Sequence, residues 1–125
     1  MVLSFDDQRK PPYTKQQAMK FVRKFLQSST FSRDYVIGFS IPHFQQRLKE
    51  RKLNINDALN IMKTGMIYNE PEYETTGRNG YWRYAIEGDL ISKRGKGRLV
   101  ISIASEREIQ CITIISGIRS NRGKR

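Results

Sequence analysis

The residues that could carry chemistry fall into two groups. His43, Arg47 and Arg51 recur at intervals of four, which stacks them one turn apart on a single stripe of a helix. Tyr81 and Arg83 alternate with Trp82 and Tyr84, so on a strand the two pairs point to opposite faces. Metal-free cleavage of RNA needs groups of these types: a base for the 2′-hydroxyl, an acid for the 5′-oxygen leaving group, and cations for the charge on the phosphorane. Histidine titrates near neutral pH and suits the proton transfer, and His43 is the only histidine. Arg47 and Arg51 would bind the scissile phosphate, and Arg83 would do so with the firmness of a strand. Tyr81 would stack a base or act as an acid, and Thr113, on a neighbouring strand, would position a phosphate oxygen. Each has a plainer reading: a structural histidine, a solvated helix face, an aromatic covering a sheet, a β-forming threonine.

Charge supplies the second signal. Twenty-three Lys and Arg against twelve Asp and Glu leave a formal +11 on 125 residues, and self-repulsion of that size calls for a negative partner. RNA or another nucleic acid comes first, an anionic membrane surface second, an acidic protein third. The cations cluster. The segment Ser92 to Arg98 holds Lys93, Arg94, Lys96 and Arg98 with two glycines, a composition that brings a hairpin tip close to phosphates, although it lacks the Walker spacing. Residues 117–125 contain Arg119 and Arg122 among four cations and no acid, which reads as a basic flexible tail.

The composition argues against several other classes. No apolar run approaches the roughly 18 residues of a membrane span, and the N-terminus lacks the apolar core of a signal peptide. One cysteine, Cys111, allows no internal disulfide, and its apolar surroundings predict a buried, inert thiol. One Cys and one His cannot make a typical zinc site, and the acids show no calcium-loop spacing. No metal or cofactor is expected.

The elements that must position these residues divide the chain at Gly65. Residues 1–13 form a polar leader, 14–116 a single domain. Thr14 can cap a helix whose Ala18, Met19, Val22, Phe25 and Leu26 make one apolar stripe. Ser28 to Ser40 reads as a loop. Pro42 opens a second helix to about Lys52, with Phe44 and Leu48 inward, and Asn54 or Asn56 caps a third that stops at Gly65. Beyond it the hydrophobic period becomes two, predicting strands over 66–68, 81–87, 98–104 and 109–116. Their short connections, one of them Thr76 to Gly80, imply a meander. The expected fold is α+β, with N-terminal helices packed on one antiparallel sheet of about four strands. Trp82, Tyr84, Leu99, Ile101, Ile103, Ile112 and Ile114 should supply much of the core.

The stretch from His43 through Arg47 and Arg51, the helix ending at Gly65, the Tyr81-Trp82-Arg83-Tyr84 strand and the last strand with Thr113 resemble a known layout. It is that of small bacterial toxin-like domains of the RelE type and, more widely, of the barnase, EndoU, colicin and RelE assemblage of ribonucleases. The resemblance spans roughly residues 41 to 116. It implies a metal-independent endoribonuclease, a toxin acting in the cytoplasm and held by an acidic antitoxin or immunity protein, with delivery into another cell left open. Attack by the 2′-hydroxyl would leave a 2′,3′-cyclic phosphate. Two alternatives stand beside it: a non-catalytic RNA- or DNA-binding module, and a basic adaptor for an acidic protein. Convergence of His43, Arg47, Tyr81 and Arg83 within a few ångströms separates the enzyme from the binder.

Overall fold

The structure, a computed structural model, describes residues 11–29, 35–39, 42–74 and 81–118. The leader up to residue 10, the Thr76–Gly80 turn and the tail beyond Ile118, with Arg119 and Arg122, lie outside the described residues.

Helix α1 (Lys15–Ser29) begins at the expected cap. The Gln17 amide donates to Thr14 Oγ1 at 3.1 Å and the Thr14 amide to Gln17 Oε1 at 2.9 Å, a reciprocal pair that satisfies two donors at the helix start. Its Ala18, Met19, Val22 and Phe25 are buried, as their three-to-four spacing requires. Helix α2 (Pro42–Glu50) buries Phe44 and Leu48 and ends in a Schellman turn: the Leu53 amide donates to Leu48 O at 2.9 Å and the Lys52 amide to Lys49 O at 3.2 Å. Lys52 holds the left-handed position at φ 57°, where glycine is usual. Helix α3 (Ile55–Thr64) is capped by Asn54, which accepts from Asn56 and Asp57, while Asp57 accepts from the Asn54 amide.

Strands β2 (Glu72–Glu74), β3 (Tyr81–Asp89), β4 (Lys96–Ser105) and β5 (Glu108–Ile118) form an antiparallel meander. A fifth strand, β1 (Val36–Gly38), joins the far edge of β5 in parallel, giving the order β1-β5-β4-β3-β2. The sheet is therefore mixed and five-stranded. β1 falls where a loop was expected, because three residues are too few to display a period. Residues 66–68 are not a strand either. Met66 and Glu87 exchange one reciprocal pair of hydrogen bonds, and the pairing resumes at Glu72–Glu74, where Tyr73 packs edge-on against Trp82 with ring centroids 5.1 Å apart.

Residues from all three helices share one core with Tyr84, Ile86, Leu99, Ile101, Ile109, Cys111 and Ile114, so the helices cover a single face of the sheet. Each such apolar side chain contributes about 1.5–3 kcal/mol. Trp82 and Ile103 pack at the rim of the core. Ile112 does not join it: Val100 faces Thr113 and Ile101 faces Cys111, so Ile112 is the extra residue of a bulge and Cys111 takes the inward position. The face turned away from the helices carries Arg83, Ala85 and Glu87 on β3, Arg98 and Val100 on β4, and Thr113 and Ile115 on β5.

Candidate nucleic-acid interface

The turn that follows β3 is fixed by a buried carboxylate. Asp57, with no exposed surface, accepts from the Ile91 amide at 2.6 Å, the Ser92 amide at 2.8 Å, the Ser92 hydroxyl at 2.6 Å and the Asn54 amide at 2.9 Å. Burial alone would raise its pKa, but the donors from Ser92, Asn54 and Ile91 outweigh that and hold it below the usual value. Asn54 adds a bond from its side chain to Ser92 Oγ at 3.2 Å. Residues 90–95 are thereby tied to the start of α3, and the tie places Lys93, with Arg94 next to it in the chain, beside the end of α2. Lys93 Nζ donates to Arg51 O at 2.7 Å. Arg51 Nε in turn donates to Ile114 O at 3.1 Å, on the stretch of β5 beyond its pairing with β1.

One end of the domain thus collects Arg51, Lys52, Lys93 and Arg94. Lys52, Lys93 and Arg94 are exposed, and no ion pair joins any of the four to an acid among the described residues. The chain reaches Ile118 at this same end, opposite Lys96, and its sequence then continues with Arg119 and Arg122.

The remaining cations expected to bind nucleic acid are neutralised by neighbours. Lys96 and Arg98 belong to β4 rather than to the loop. Lys96 meets Asp89 at 2.7 Å and Arg98 meets the buried Glu87 at 3.0 Å, each directly across the β3–β4 register. These are sheet pairs.

The six residues proposed for catalysis or scissile-phosphate contact, His43, Arg47, Arg51, Tyr81, Arg83 and Thr113, are not assembled into one cleft. His43 and Arg47 ride on α2, which packs on β5. Arg47 Nε lies 3.4 Å from His43 Nε2, and its Nη1 pairs with Glu50 at 2.7 Å. Hydrogen bonds from Gln46 and then Arg47 hold the Glu50 carboxyl below its usual pKa. Tyr81 and Arg83 stand on the other face of the sheet, two strands away. Arg83 is clamped by Glu72 at 3.0 Å and Glu74 at 3.6 Å, which face it and Tyr81 from β2. Thr113 shares that helix-free face, opposite Val100. The strand alternation of Tyr81 and Arg83 against Trp82 and Tyr84 is as expected, but it turns them away from the helix that carries His43.

Two contributors were missed in the sequence. Asp57 and Ser92 hold the basic loop in place; the sequence offered Asn54 or Asn56 as the cap of α3, and nothing local revealed that Asp57 binds both that cap and a loop 34 residues on. Among the described residues no group of three or more His, Cys, Asp or Glu could hold a metal ion, and no helix is long and apolar enough to cross a membrane. No protein-family model, curated protein or solved structure matches the chain.

Proposed function

We propose that this domain binds RNA through its phosphate backbone at the end formed by the β3–β4 loop and the α2 terminus. The observation that carries the reading is the contrast in charge state. Lys52 at the α2 terminus and Lys93 and Arg94 on the loop tethered by Asp57 stand exposed with no acidic partner among the described residues, whereas Lys96, Arg98 and Arg83 are matched by acids. A fixed turn holding unmatched cations loses little conformational entropy when it meets phosphates. Single-stranded RNA titrated at several salt concentrations tests it. If about four phosphates are neutralised, log affinity should fall against log salt with a slope of roughly 3. A flat plot would remove the proposal.

A second reading, metal-independent cleavage of RNA, draws on one feature: Arg51 belongs both to this basic end and to the stripe that leads back to Arg47 and His43. Cleavage would use His43 and Arg47 without Tyr81 or Arg83. It would proceed in EDTA, leave 2′,3′-cyclic phosphate ends, and stop in His43→Ala. A role as a cytoplasmic toxin restrained by an acidic antitoxin or immunity protein follows only from that activity. If diverse RNAs are bound and left intact, the domain is a binding module.

A further inference from the structure

At the opposite end of β4 the described chain builds an aromatic pocket of about 320 Å³, lined by Tyr13, Phe21, Phe25 and Tyr35 with Lys24, Glu106 and Arg107 at its rim. The rings form a continuous ladder: Tyr13 stacks on Phe21 at 5.3 Å, Phe21 tilts against Phe25 at 5.7 Å, and Phe25 meets Tyr35 edge-on at 5.2 Å. Phe25 is core, but Tyr13, Phe21 and Tyr35 are only half-buried. The Arg107 guanidinium carbon lies over the Tyr35 ring, 5.8 Å from its centroid.

That turn is anchored. The Val36 amide donates to Arg107 O at 2.8 Å and the Arg107 amide to Ser105 Oγ at 3.1 Å, so the backbones of Arg107 and Tyr35 are held against each other through β1. A planar ring inserted between a guanidinium and an aromatic face needs about 7 Å, twice the ordinary carbon contact distance. The Arg107 guanidinium, which has a further interaction of its own, must move by little more than 1 Å from its present 5.8 Å to admit one. Nucleobases stack on aromatic rings and on guanidinium planes alike.

We propose that this pocket accepts a single unpaired nucleobase, stacked on Tyr35 beneath Arg107, with Lys24 placed to meet an adjoining phosphate. This deepens the RNA-binding reading and rests on it: the basic end would hold the backbone and the pocket would require a base. The preference is for single-stranded RNA, because a paired base is already stacked and cannot enter.

The test uses the full chain, adenosine 5′-monophosphate and ribose 5-phosphate, followed by NMR, and single-stranded RNA followed by binding titration. Adenosine monophosphate should shift the ring protons of Tyr35 and Phe21 upfield, and ribose 5-phosphate should not. Arg107→Ala and Tyr35→Leu should each weaken single-stranded RNA binding about tenfold or more and leave double-stranded RNA binding unchanged. Arg107→Ala is an exposed change on a turn, so it remains informative if Tyr35→Leu fails to fold. Equal shifts with the base-free sugar phosphate, or undiminished single-stranded binding in Arg107→Ala, would overturn the pocket while leaving the basic end intact. If adenosine monophosphate stacks at Tyr35 but no RNA binds in any salt, the backbone reading falls and a mononucleotide site remains.

Discussion

Replacing Asp57 with asparagine removes a buried negative charge that receives four donors. The amide keeps one acceptor oxygen and turns an NH₂ toward donors that were facing an oxygen. Hydrogen bonds to a charged acceptor contribute about 1.5–3 kcal/mol each; the amide oxygen can still accept from the Ile91 and Ser92 amides, which share Oδ1, but without the charge, and the Asn54 amide is left facing the NH₂, so the cost is about 3 kcal/mol. Because the Asp57 pKa is lowered in the folded state, its contribution is fully present above about pH 4, the unfolded carboxyl value, and disappears as pH falls through the folded value. Urea unfolding at neutral pH should therefore separate the two proteins by about 3 kcal/mol, and the gap should narrow as the pH falls below about 4. The same change frees the basic loop, so RNA affinity should drop in conditions where Asp57→Asn is still folded. A difference below about 1 kcal/mol at neutral pH, or one that does not vary with pH, would refute the idea that this carboxylate anchors the loop.

Other outcomes follow from the same contacts. Lys52→Gly relieves a left-handed lysine at φ 57° and should raise stability by about 1 kcal/mol in denaturant melts. Gly65→Ala puts a methyl group 2.5 Å from Glu87 O and 2.6 Å from Ile61 O, both backbone atoms, and should destabilise by about 2 kcal/mol or more through displacement of α3 from β3. Burial pushes the Cys111 thiol up to about 12, so native protein should react with Ellman's reagent only as fast as it unfolds. Arg83→Ala should leave RNA affinity unchanged, since Glu72 and Glu74 already neutralise that side chain.

Much of the fold was legible because its signals are local. The caps at Thr14 and Asn54, the stop at Gly65 and the change of period after it each depend on a few adjacent residues, and the antiparallel run from β3 to β5 follows from connections too short to cross over. β1 was hidden, since Val36–Gly38 acquires its strand character from pairing with Glu108–Gln110, about seventy residues away. Ile112 was misplaced for a related reason: a bulge shifts the alternation by one, and only the β4 partner shows where. The candidate site was legible only as chemistry. Sequence picked out the cationic residues of the β3–β4 segment and Arg51, and of these Lys93 meets Arg51 at one end. It could not show that Glu87 and Asp89 neutralise Arg98 and Lys96, because the pairing register sets those partners. Nor could it reveal that the sheet stands between Arg83 and His43, since a stripe on a helix and a face on a strand do not specify which layer each ends in.

The most direct measurement of the central claim is the salt dependence of single-stranded RNA binding by wild-type protein, by the Lys93→Ala/Arg94→Ala double variant and by Lys63→Ala, an exposed cation on α3 chosen as a control. Two phosphate contacts fewer should lower the log–log slope by roughly 1.4 and weaken binding to all sequences alike in the double variant, while Lys63→Ala should match wild type. Equal slopes for wild type and the double variant would contradict the account, because RNA would then bind without the loop that Asp57 holds in place.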